Sequence, residues 1–117
     1  MVINQGDIYW VEPGHLHEPD TDIPHPYVIV QEDLLNHSRI HTVVACMLTT
    51  NLNRLASPGN VLLQAGEANL PRASVVEVAK ISTIEKQYLG IYIGNLGIER
   101  MKQIFAGLRF VQRQFVR

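Results

Sequence analysis

One cysteine occurs in the 117 residues, Cys46, which excludes any internal disulfide. No apolar run approaches the roughly 18 residues that a membrane span needs, and no basic start leads into a long apolar stretch, so a cytoplasmic protein without membrane association is expected. Charge of either sign is scarce. Ten Lys and Arg against 11 Asp and Glu leave a net charge of −1, which argues against a globally basic nucleic-acid binder and against a disordered acidic chain. A polyanion must therefore meet a local patch. Repeats, low-complexity tracts and long linkers are also missing, so residues 1–117 are expected to form a single domain. What is present suits a core: 46% of residues are apolar, enough at this length to bury about two-thirds of the unfolded surface. Cys46 lies within the apolar run 43–48, where it reads as a small buried hydrophobe.

Short runs rich in Val, Ile and Tyr at 7–11, 26–31, 42–48, 60–64 and 74–79, punctuated by turn residues, predict a compact set of mostly antiparallel strands. A further short strand is expected over 82–85. Asp33-Leu34-Leu35-Asn36 reads as one helical turn opened by an N-capping Asp33. After Gly97 the period changes: Ile98, Met101, Ile104, Phe105, Leu108, Val111 and Gln112 recur at steps of three and four, predicting an amphipathic helix packed on the strands.

Residues 12–24, EPGHLHEPDTDIP, show no alternation and carry three Pro, four carboxylates and two His. They are expected to form an exposed loop. His15, His17, Glu18, Asp20 and Asp22 match no established metal-ligand spacing, and the reading assigns no metal.

The stretch His25-Pro26-Tyr27-Val28-Ile29-Val30-Gln31 places an ionisable side chain at the mouth of a strand. With the opening strand Gly6-Asp7-Ile8-Tyr9-Trp10-Val11 and a third strand that runs into Thr49-Thr50-Asn51, three strands aim polar groups at one region.

Taken in order, Gly6-Asp7-Ile8-Tyr9-Trp10-Val11, the irregular loop, Pro26-Tyr27-Val28-Ile29-Val30-Gln31 with Asp33, Thr42-Val43-Val44-Ala45 leading to Leu48-Thr49, Ser74-Val75-Val76, Ile84-Glu85-Lys86, Ile93-Gly94-Asn95-Leu96 and the last helix resemble the MazF/PemK family of toxins. The resemblance covers essentially the whole chain. It implies a mainly β fold, a small SH3-like barrel of the MazF/PemK/CcdB-like kind with a C-terminal α-helix, assembled as a homodimer. It also implies the toxin of a type II toxin–antitoxin pair, an endoribonuclease that cleaves single-stranded RNA at short sequences without a metal or other cofactor. A cognate antitoxin is the implied partner, its tail lying across the RNA groove and dimer edge.

Active members carry an Arg before the Pro of strand two and a Thr at the end of strand three. The Thr is matched by Thr49, whereas His25 stands in place of the Arg. An Arg is charged at every physiological pH, while an imidazole has an ordinary pKa near 6.5 and is suited to proton transfer near neutrality. Three outcomes stay open. Either His25 serves as acid or base while Thr49 donates to a phosphate oxygen, or the lost guanidinium leaves a weakened or inactive RNA-binding and antitoxin-binding protein. A third assigns His25 only a hydrogen bond to the acidic loop.

Candidate RNA contacts are Asn51, Asn53 and Arg54 in the loop after Thr49, and Gln31 near the end of strand two. Of Tyr9 and Trp10, one is expected inward and one outward, with packing favoured over base stacking. Arg72, Lys80 and Lys86 read as surface charge. The gyrase-targeting toxins that share the fold need a C-terminal Trp-Gly-Ile, whereas this chain ends Phe115-Val116-Arg117.

Overall fold

Successive side chains of a strand point to opposite faces, and here both faces are apolar. The computed structural model describes residues 1–12 and 23–113. The possible ligands His15, His17, Glu18, Asp20 and Asp22, and the chain end Phe115-Val116-Arg117, lie outside the described residues.

Six strands, β1 (Asp7–Val11), β2 (His25–Ile29), β3 (Thr42–Thr49), β4 (Val61–Leu63), β5 (Ser74–Glu85) and β6 (Leu89–Asn95), form one antiparallel sheet. Their order is β4-β5-β3-β2-β1-β6. Among the described residues two α-helices accompany them, α1 (Asp33–Asn36) and α2 (Ile98–Val111). Ile8, Val28, Cys46, Leu48, Val76 and Val78 face one core, which α2 covers with Met101, Ile104 and Leu108. Tyr9, Val11, Tyr27, Ile29, Val43, Ala45 and Met47 face the other, with Ile84 and Leu89.

The expected mainly β domain with a C-terminal helix is thus present. The sheet is not closed into the expected barrel, since β4 and β6 end it. A large register shift interrupts the pairing of β3 with β5. Cys46 pairs with Ile81 while its neighbour Met47 pairs with Glu77, so three extra residues bend the strand. This bulge also explains why residues 74–79 and 82–85, expected as two strands, form a single one. The turn after β4 fills the gap beside β6: Asn69 Nδ2 donates to Ile93 O at 3.0 Å, and Gly94 has no room for a Cβ because the Ala68 carbonyl lies against it.

Other boundaries depart from expectation for local reasons. β2 ends at Ile29 because the Val30 and Gln31 amides both converge on Val44 O, at 3.0 and 3.2 Å, which breaks the ladder. Glu32 occupies the N-cap of α1, without a capping side-chain bond. Asp33 instead accepts from Gln5 N at 2.6 Å and Asn36 Nδ2 at 3.1 Å, and these bonds, the backbone one foremost, hold its carboxyl below the usual range. β6 escaped prediction as a strand because Ile91 and Tyr92 are both exposed, which hides its alternation. The buried stripe of α2 is narrower than its period suggested: Ile98 and Val111 are exposed. Gly107 allows the helix backbone to rest directly on Gly59 O, where a Cβ would collide. Cys46 is fully buried as expected, and burial pushes its thiol pKa up to about 12.

Candidate active site

The antiparallel register decides what meets at the ends of β2 and β3. Tyr27 opposes Met47 and Val28 opposes Cys46, and continuing that register brings His25 opposite Thr49. On the far side of β3, Thr49 opposes Val75 of β5. On the far side of β2, His25 opposes Val11 and Pro26 opposes Trp10 of β1. Residues from four consecutive strands therefore surround one cleft of about 250 Å³. His25, Leu48, Thr49 and Thr50 line it, with Trp10 and residues 23–24 on one side and Leu70, Pro71, Arg72 and Ser74 on the other.

Each polar group in the cleft has a defined setting. His25 is half-buried, and its Nδ1 lies 3.3 Å from Leu48 O. A carbonyl can only accept, so a neutral ring engaged in this bond carries its proton on Nδ1 and leaves the Nε2 lone pair open. Thr49 Oγ1 accepts from the Asn51 amide at 3.2 Å, which leaves its own O–H proton to donate. Trp10 is half-buried while Tyr9 is fully buried. The expected inward and outward pair is thus Tyr9 and Trp10, and the outward ring forms a wall of the cleft. Burial, assisted by Asp7, pushes the Tyr9 phenol pKa up to about 12.

The loop after Thr49 is a short 3-10 helix, Leu52–Ala56, capped by Asn51, whose Oδ1 accepts from Asn53 N at 3.1 Å. Asn51 thus has a structural task beside any RNA contact. Asn53 is exposed on the same turn. Arg54 leans toward Glu77, with Nε to Oε1 at 3.8 Å, and Lys80 Nζ lies 4.0 Å from the other oxygen of that buried carboxylate. Gln31 is not brought to the cleft. It lies at the opposite end of the β2–β3 pair, about 20 Å of extended chain from His25, where its Nε2 donates to Asn36 Oδ1 at 2.9 Å and Thr42 O at 3.2 Å.

Sequence reasoning placed Arg72 on the general surface and favoured packing for Trp10, so neither was selected for the site. Pro71-Arg72-Ala73-Ser74 reads locally as a turn. Its neighbourhood with Thr49 follows only from the long-range pairing of β3 with β5. Among the described residues, no group of three or more His, Cys, Asp or Glu side chains is arranged to hold a metal, and no helix is long and apolar enough to cross a membrane.

Fold and cleft together define a small β domain that gathers an imidazole, a hydroxyl and a guanidinium beside an aromatic wall. Residues 4–111 match the family of PemK-like, MazF-like toxins of type II toxin–antitoxin systems, and the chain belongs to that family. It is 38% identical over 111 residues to the endoribonuclease MazF6 of Mycobacterium tuberculosis, covering 95% of this chain and 97% of the relative. Among solved structures, a mycobacterial endoribonuclease in complex with its cognate antitoxin superposes with a TM-score of 0.77 at 24% identity, covering 97% and 99% of the two chains. MazF from Deinococcus radiodurans gives 0.78 at 14% identity over the same shares. At these identities the structural likeness speaks for the fold.

Proposed function

We propose that this protein is the toxin of a type II toxin–antitoxin pair and acts in the cytoplasm as a metal-independent endoribonuclease on single-stranded RNA. The observation that carries the reading is the convergence of His25 and Thr49, from neighbouring strand ends, in one cleft. The RNA's 2′-oxygen attacks the adjacent phosphorus as its proton passes to His25 Nε2. The P–O5′ bond then breaks, the leaving 5′-oxygen takes the proton back from the His25 imidazolium, and a 2′,3′-cyclic phosphate and a free 5′-hydroxyl result. His25 is suited to the proton transfers, worth about 10²–10⁴ in rate. The Thr49 hydroxyl donates to a phosphate oxygen, where a single donor is worth about 10²–10³. Asn51, Asn53 and Arg54, in the turn that follows Thr50 of the cleft lining, extend the RNA contacts beyond the cleft, and Trp10 offers a stacking face.

The partner reading is supported by relatives solved with their antitoxins and by apolar side chains left on the surface. Leu52 and Leu55, in the 3-10 helix after β3, and Ile91, on the terminal strand β6, are 50%, 41% and 76% exposed. A homodimer and a bound antitoxin would each cover such surface. Sedimentation equilibrium tests the dimer.

The catalytic reading is tested by incubating the purified protein with mixed-sequence single-stranded RNA in EDTA and analysing the product ends. Cyclic phosphate and 5′-hydroxyl termini are expected. RNA that is bound but left intact from pH 5.5 to 8 would favour the non-cutting RNA binder, for which the replacement of the family's Arg by His25 is the specific ground.

A further inference from the structure

We infer that Arg72 supplies the permanent positive charge that grips the scissile phosphate, the charge that His25 at the head of β2 does not provide. This rests on the ribonuclease reading of the cleft and names a further residue for it. Arg72 is the one Lys or Arg among the described residues that lines the cleft with His25 and Thr49. Its backbone is held while its side chain is exposed: Ser74, itself 3% exposed, donates from Oγ to Arg72 O at 3.0 Å, and Leu70, two residues earlier, is buried in the core. An anchored base with an exposed guanidinium suits recognition of a ligand arriving from solvent.

Other cations of the molecule lie outside the cleft lining and face partners of their own. Arg54 and Lys80 both face the buried carboxylate of Glu77. Farther away, Arg100 is paired with Glu67 at 2.8 Å, and Lys86 Nζ donates to Asn36 O at 2.9 Å. Among the described residues no carboxylate lies within 4 Å of the Arg72 guanidinium.

The charge on the phosphate dictates what Arg72 does. A phosphodiester carries one negative charge, and attack by the 2′-oxyanion raises this to two in the pentacoordinate state. A fixed guanidinium with two parallel N–H donors therefore binds the transition state more strongly than the ground state. Arg72 keeps its proton throughout, so the transfers to and from oxygen remain with His25.

The test uses Arg72→Ala, Arg72→Lys and, as a charge-matched control on α2, Lys102→Ala. Single-turnover cleavage of mixed-sequence RNA should fall about 10²-fold in Arg72→Ala, with a smaller change in KM. Arg72→Lys should recover part of the loss, because it retains the charge and forfeits the fork. Lys102→Ala should match wild type. Binding of a 2′-O-methylated RNA pool, which cannot be cleaved, is measured in parallel. The slope of log affinity against log salt should drop by about 0.7 in Arg72→Ala, the signature of one lost phosphate contact. Cleavage within threefold of wild type and an unchanged slope, with both Arg72 variants matching Lys102→Ala, would overturn the assignment. A wild-type protein that cuts no RNA defeats the ribonuclease reading instead, and the salt slope then still decides whether Arg72 touches phosphate.

Discussion

The two ends of the β2–β3 pair make opposite use of polar side chains. At the α1 end, polar groups satisfy one another. Gln31 donates to Asn36 and Thr42, Asn36 Nδ2 donates to Gln31 O at 2.8 Å, Asp33 accepts from Gln5 and Asn36, and Lys86 Nζ closes the set on Asn36 O. At the cleft end His25 has one backbone neighbour through one nitrogen, and the Thr49 hydroxyl accepts from one amide. A polar group saturated by its own chain fixes structure, whereas one with capacity to spare can serve a ligand. The same strands therefore carry a structural end and a chemical end, distinguishable by hydrogen-bond accounting.

The strongest way to break this contrast is at the chemical end. His25→Arg restores permanent charge but removes the proton acceptor, so cleavage should fall by about 10² or more, with RNA binding retained. A large gain in cleavage would show instead that the imidazole hinders the reaction.

At the structural end the effects belong to stability. Asn36→Ala strips the 4% exposed amide from its network and should cost about 1–3 kcal/mol in urea unfolding, leaving the cleavage rate unchanged. Gln31→Ala should cost about 1 kcal/mol without altering RNA affinity. A loss of affinity would bring Gln31 back among the RNA contacts.

The smallest effect belongs to neither end. Glu67 accepts from Arg100 at 2.8 Å through both carboxylate oxygens, and this partner, ahead of the Gln64 amide, holds its carboxyl below the usual range. A depressed carboxyl stabilises the fold above its unfolded pKa, and that contribution fades as pH falls through the folded value. Glu67→Gln should therefore cost about 1 kcal/mol or less at neutral pH, and its thermal unfolding should converge with wild type in acid.

Local pattern and long-range pairing divided what could be read from the chain. β1, β3 and α2 were legible because alternation and helical period are local signals. So was the placing of His25 and Thr49, since each stands at one end of a strand whose apolar run is evident and a family resemblance joined them. The bulge that merges two expected strands into β5 was not legible, because residues 78–80 carry no turn chemistry of their own. β6 was hidden by the exposure of Ile91 and Tyr92. Gln31 was placed near the groove by its position in an apolar run, yet the ladder breaks at Val44 O and returns its amide to the chain. Arg72 became visible only once β5 was paired with β3.

The central claim is that His25 and Thr49 act together on one phosphodiester, and a double-variant cycle on single-turnover cleavage tests it most directly. His25→Ala and Thr49→Ala should each slow the reaction by about 10² or more. The double variant should be little worse than the poorer single, as groups that work as a unit are not additive. Either single variant cleaving RNA within threefold of the wild-type rate would contradict the account.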